Sequence, residues 1–129
     1  MLTSKRVTIA TICGLASGFV CLALATSNPD SAANMPLAIK ANIVLSRTLT
    51  GFMIGISAVR LGWWLHGILM GILGSIPMAL GAMGSSAPSG EMTPTMIATG
   101  TFVMGIIYGV LTELITTILF KAKPAWKTA

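Results

Sequence analysis

Apolar residues run along this chain in long unbroken blocks. Four blocks stand out, at about 7–26, 37–59, 63–83 and 95–120. Each is close to the twenty or so residues that a helix needs to cross the hydrocarbon core of a bilayer. Helix-breaking residues collect between them. "SNPDSAANMP" contains Pro29, Asp30 and Pro36, and "GSSAPSGEMTP" is rich in Gly, Ser and Pro. The link "RLG" at 60–62 is so short that the second and third blocks must form a tight antiparallel hairpin. The pattern predicts an all-α fold in which residues 1–129 make one transmembrane domain, an integral membrane four-helix bundle.

Composition agrees: 54% of residues are hydrophobic and 9% are charged, whereas a soluble domain carries about a quarter charged residues. The net charge of +5 gains its meaning from where the charges lie. Lys5 and Arg6 precede the first block, Arg60 follows the second, and Lys121, Lys123 and Lys127 follow the fourth. Asp30 and Glu91 fall in the other two connections. Such alternation is what the positive-inside bias produces. It predicts an N-in/C-in protein, both termini cytoplasmic, in a prokaryotic cytoplasmic membrane. Nucleic acid is excluded as a partner, because the cations are dispersed and not interleaved with aromatics. Trp63, Trp64 and Trp126 fall at the basic end, where indoles anchor to the interface.

The first block has a second reading. "SKR" followed by an apolar run ending "LALATS" has the parts of a secretory signal peptide. The run is long for such a segment, so a retained span is the expectation. Cys13 and Cys21 lie in this block, about 12 Å apart along a helix, too far for a mutual disulfide.

Each block holds a glycine pair at spacing four: Gly14 and Gly18, Gly51 and Gly55, Gly67 and Gly71, Gly105 and Gly109. Glycines four apart share a helix face and let a neighbouring backbone approach closely, which supports packing where lipid supplies no hydrophobic force. The repetition predicts a tight, glycine-stripe (GxxxG) bundle. In antiparallel register, Gly51 would meet Gly71 and Gly55 would meet Gly67. On the other side of the third span, Gly67 would meet Gly109 and Gly71 would meet Gly105.

Polar residues ride on these stripes. Arg47, Gly51 and Gly55 share one face, and Gly105, Gly109 and Glu113 share another, which Thr101 and Thr117 extend. A charge at mid-span costs about 2.5–3.5 kcal/mol on insertion scales, so both charges are expected to face protein or trapped water. They do not suit each other, since their depths differ by about 12 Å at 1.5 Å per residue. The hairpin register instead sets Arg47 beside Ser75 and Pro77, where the proline frees the carbonyl of Leu73. This predicts a clamp of Arg47, Ser75 and Pro77. Glu113 falls opposite Trp63, within a turn of His66.

Ionisable groups within spans mark transport paths, and a carboxyl removed from water is open to titration in new ranges. The expected function is a small polytopic membrane protein acting as an oligomeric channel or a proton- or cation-coupled transporter. Glu113 and His66 would titrate, with Arg47 setting the local potential. The alternative is a non-catalytic scaffold or assembly subunit of a larger membrane complex. A third reading takes Met92 and Met96, four apart, as thioether ligands for Cu(I). The pairing of M-x3-M with G-x3-G resembles copper importers of eukaryotes, which place the two motifs on different helices of a three-span chain. No motif of a catalytic site is present, so neither enzymatic activity nor a cofactor is expected. The expected partners are lipids and either further copies of the chain or other membrane proteins.

Overall fold

A computed structural model describes residues 4–27, 29–57, 59–84 and 93–122. The chain forms α1 (Ser4–Ala25), α2 (Pro29–Asn34), α3 (Leu37–Ile56), α4 (Trp63–Gly84) and α5 (Pro94–Leu114), the last running on into a π-helical turn, Ile115–Leu119. Among the described residues, α1, α3, α4 and α5 are long and apolar enough to cross a membrane. A helix is suited to that task because it satisfies its own backbone hydrogen bonds where no water is present. The expectation of four spanning helices therefore stands, with two adjustments. The connection "SNPDSAANMP" contains the short helix α2, and α3 stops at Ile56, short of the expected end at 59, with α4 beginning at Trp63.

The helices associate as two close antiparallel pairs, α1 with α3 and α4 with α5, joined by a lesser contact between α3 and α4. Close approach occurs where side chains are missing. A Cβ on Gly14 would lie 2.9 Å from the Cα of Gly51, and one on Gly18 would lie 3.0 Å from the Cα of Val44. In the second pair, a Cβ on Gly67 would lie 2.8 Å from the Gly109 carbonyl oxygen, and one on Gly71 would meet the backbone of Gly105. The register expected for the third and fourth spans is thus the one present. The register expected for the hairpin is not. Gly51 faces Ala10 and Gly14, and Gly55 faces Val7 and Ala10, both on α1 and neither on α4. The α3 stripe can serve only one neighbour at backbone distance, and α1 offers glycines of its own to receive it.

The interior is small and unusually polar. Ala10, Ile54 and Met70 form its apolar centre. Arg6, Ser46, Arg47, Thr50, His66, Ser75, Thr101, Thr112, Glu113 and Thr116 are buried beside them. The large apolar side chains point outward, among them Phe19, Leu49, Leu73, Val103 and Leu111. This inversion suits a bundle whose surroundings are lipid, since burial of apolar surface gains nothing there and hydrogen bonds and close contact carry the association.

Candidate functional site: a buried charge cluster at the basic end

Glu113 stands near the C-terminal end of α5, on the face that buries Thr101, Gly105, Gly109 and Thr112. It is 1% exposed. A carboxylate so placed needs a counter-charge and hydrogen bonds together, and α1 supplies both. Arg6 Nη2 donates to Oε1 at 2.6 Å and to Oε2 at 2.9 Å. Arg6 Nη1 donates to Thr117 Oγ1 and to the Ala122 carbonyl, both at 2.9 Å. Thr117 in turn donates from Oγ1 to Glu113 Oε1 at 2.9 Å. The planar guanidinium spreads its donors in a fixed fork, so one side chain can hold two carboxylate oxygens and two further acceptors.

The backbone beyond α5 is shaped to complete this ring. The Phe120 amide reaches back to the Ile115 carbonyl and the Ala122 amide to the Thr116 carbonyl, each at 3.0 Å. Lys121 turns the chain with φ 50°. The wider π-helical turn followed by a left-handed residue folds Ala122 over the helix end, and its carbonyl becomes an Arg6 acceptor.

His66 completes the cluster from the first turn of α4. Its Nδ1 lies 3.3 Å from Glu113 Oε2, but the ring does not aim a hydrogen bond at that oxygen. Neither ring nitrogen has a hydrogen-bond partner among the described residues, although the side chain is buried. Arg6 Nε is likewise buried and unpartnered. A cavity of about 240 Å³ adjoins the three groups, bounded by Arg6, His66, Glu113 and Thr117 and by Arg60 and Trp63 of the 57–63 segment.

Arg47 belongs to a separate layer. Its Nη1 donates to Ser75 Oγ at 3.1 Å and its Nη2 to the Thr101 carbonyl at 3.3 Å. The guanidinium carbon stands 5.6 Å from the centre of the Tyr108 ring, within reach of the ring's negative face. Ser75 Oγ in turn donates a hydrogen bond to the Gly71 carbonyl at 2.8 Å. Arg47 and Ser75 are thus brought together, but the second acceptor is the Thr101 carbonyl on α5 and not the Leu73 carbonyl freed by Pro77. Pro77 lies inside α4, and the hydrogen bonds of the guanidinium go to Ser75 and Thr101. No carboxylate pairs with Arg47 among the described residues.

The expected pairing of Glu113 with His66 is present as a close approach. The expected distance between Glu113 and Arg47 is present as two distinct layers. Sequence reasoning missed Arg6, which counted only as a topological charge. Its signal was the series Arg6, Ala10, Gly14 and Gly18, each four apart and all buried on α1. Arg47 was found by that same spacing. Tyr108 carried no such signal, since its place beside Arg47 depends on how α5 crosses α3. Met92 lies outside the described residues; Met96 is 62% exposed on the outer surface of α5. No family, curated protein or solved structure matches this chain.

Proposed function

We propose that the chain is a membrane transport subunit that carries protons through the His66–Glu113 pair, with Arg6 as a fixed counter-charge. The observation that supports this reading is a buried imidazole with both nitrogens unpartnered, 3.3 Å from a carboxylate and next to a cavity. Histidine is the side chain whose ordinary titration falls between pH 5 and 8. Arg6 donates to both Glu113 oxygens and matches the carboxylate's charge, which disfavours a metal or organic cation beside it. Of the cargoes the sequence allowed, the proton fits best.

In this reading the basic end, with Lys5, Arg60 and Lys121, faces the cytoplasm, and both termini lie there. The glycine stripes hold the helix pairs together in the cytoplasmic membrane. The Arg47 layer and the Glu113 layer are separated on α5 by Gly105 and Gly109, whose backbones lie against α4. Proton passage therefore proceeds either between copies in an oligomer or on parting of α4 from α5.

A second reading, a scaffold or assembly subunit, is favoured by one feature: the Arg6–Glu113 pair balances its own charge and ties the first spanning helix to the last. Proton flux into proteoliposomes decides between them. Flux driven by a membrane potential is expected for the wild type and lost in Glu113→Gln and His66→Gln. Equal flux in wild type and Glu113→Gln across pH 5 to 8 removes the transport reading.

A further inference from the structure

The cavity at the basic end carries an imbalance of charge. Among the described residues its charged walls are Arg6 from α1, Arg60 from the connection before α4, and Glu113 from α5, with His66 from α4. Two guanidinium charges thus face one carboxylate before His66 takes up a proton, and protonation adds another positive charge. The single negative charge of Glu113 is already matched by Arg6, so the added charge leaves the cluster in excess of positive charge even though His66 Nδ1 stands 3.3 Å from Glu113 Oε2. The unspent hydrogen-bonding capacity in the same wall is cationic or neutral nitrogen: Arg6 Nε and both ring nitrogens of His66, all buried without a partner. Thr117 donates and accepts within the cluster already.

We propose that this cavity binds a small monovalent anion of carboxylate size, and that its binding is coupled to protonation of His66. The proposal rests on the proton-carrying reading above and names what travels with the proton. The volume of about 240 Å³ admits such an anion with several waters, each of which takes about 30 Å³ in the liquid. Arg60 is exposed at the mouth and attracts the anion from solution. The nitrogens of Arg6 and protonated His66 receive it within, in a setting where an unbalanced cation is costly. Proton and anion then enter together, because each lowers the electrostatic cost of the other. The coupling is reciprocal by linkage.

Acetate is the probe, titrated by calorimetry into the full chain in nanodiscs of zwitterionic lipid at pH 5.5 and pH 8. Protonation of His66, the chain's one histidine, is followed by ¹⁵N resonance. Acetate is expected to bind at least about tenfold tighter at the lower pH and to weaken several-fold in Arg60→Gln. In His66→Gln the pH dependence is expected to vanish. If His66 protonates between pH 8 and 5 while acetate affinity stays constant, the anion site is overturned and the proton reading survives. If His66 stays neutral throughout, both fall. A response to anionic phosphatidylglycerol in the nanodisc without a response to acetate overturns the soluble anion in favour of a lipid headgroup. Unchanged acetate binding in an Arg60→Gln, His66→Gln double variant also overturns the proposal.

Discussion

Arg6 and Glu113, separated by 107 positions in the chain, meet at 2.6 Å as the only carboxylate–guanidinium pair among the described residues. Each is 2% exposed or less. The pair ties the start of α1 to the end of α5, two helices that touch little elsewhere. A buried pair of this kind is weakly stabilising as a whole, because desolvation offsets most of the attraction, but breaking it strands a charge.

Arg6→Gln is therefore expected to lower stability by about 3–5 kcal/mol, and Glu113→Gln by a similar amount. Arg6→Met combined with Glu113→Leu should recover most of the loss. Thermal unfolding in nanodiscs measures all four proteins. A double variant as unstable as the sum of the single ones would show that the two residues act independently.

The glycines divide into two classes by what surrounds them. A Cβ on Gly105 would overlap Ser75 Oγ and stand 3.1 Å from Arg47 Nη1, so Gly105→Ala would push apart both the helix contact and the arginine clamp. A cost of about 1–3 kcal/mol is expected, as for other overpacked sites. Gly100 on the same helix has open space around it. Gly100→Ala should be neutral or stabilising by up to about 1 kcal/mol. Equal effects at the two positions would contradict the observed packing.

Arg47→Lys is expected to destabilise almost as much as Arg47→Gln. The ammonium cannot fork between Ser75 Oγ and the Thr101 carbonyl while lying over Tyr108. Ser75→Ala removes the acceptor of Arg47 Nη1 and the donor to the Gly71 carbonyl, and should cost about 1–3 kcal/mol, read as a fall in unfolding temperature. A fully stable Arg47→Lys would mean that charge alone matters at this position.

Lys121 adopts a left-handed conformation that L residues other than Asn and Asp seldom take. Lys121→Gly is expected to be tolerated or to stabilise by about 1 kcal/mol, whereas Lys121→Val should cost about 1–2 kcal/mol. Since this turn delivers the Ala122 carbonyl to Arg6, the valine variant should also weaken the response of stability to Arg6→Gln. Thermal unfolding of the single and double variants tests both statements.

Cleavage of the first span as a signal peptide would remove Arg6 and leave Glu113 buried without its counter-charge. Protein extracted from membranes is accordingly expected to retain α1, which intact mass measures directly. A mass lacking residues 4–25 would mean that Glu113 finds another partner.

The block pattern of the sequence determined the four spanning helices, because bilayer thickness sets helix length and lipid tolerates few charges. It also determined which face of each helix turns inward. A buried glycine and a buried charge four or eight residues away lie on one stripe, and that rule holds for Arg47, for Glu113 and for Arg6 alike. The register between α4 and α5 was legible for the same reason, since both helices bring a pair of glycines to one contact. Partner choice was not legible. Four similar glycine stripes allow several pairings at almost the same spacing, and only packing all four helices at once decides that α3 turns its stripe to α1. That choice carries Arg6 to Glu113 and Thr101 and Tyr108 to Arg47. The cavity between Arg6, Arg60 and His66 likewise belongs to no single segment. It exists because three helix ends and one connection converge there, a relationship that spacing along one chain does not encode.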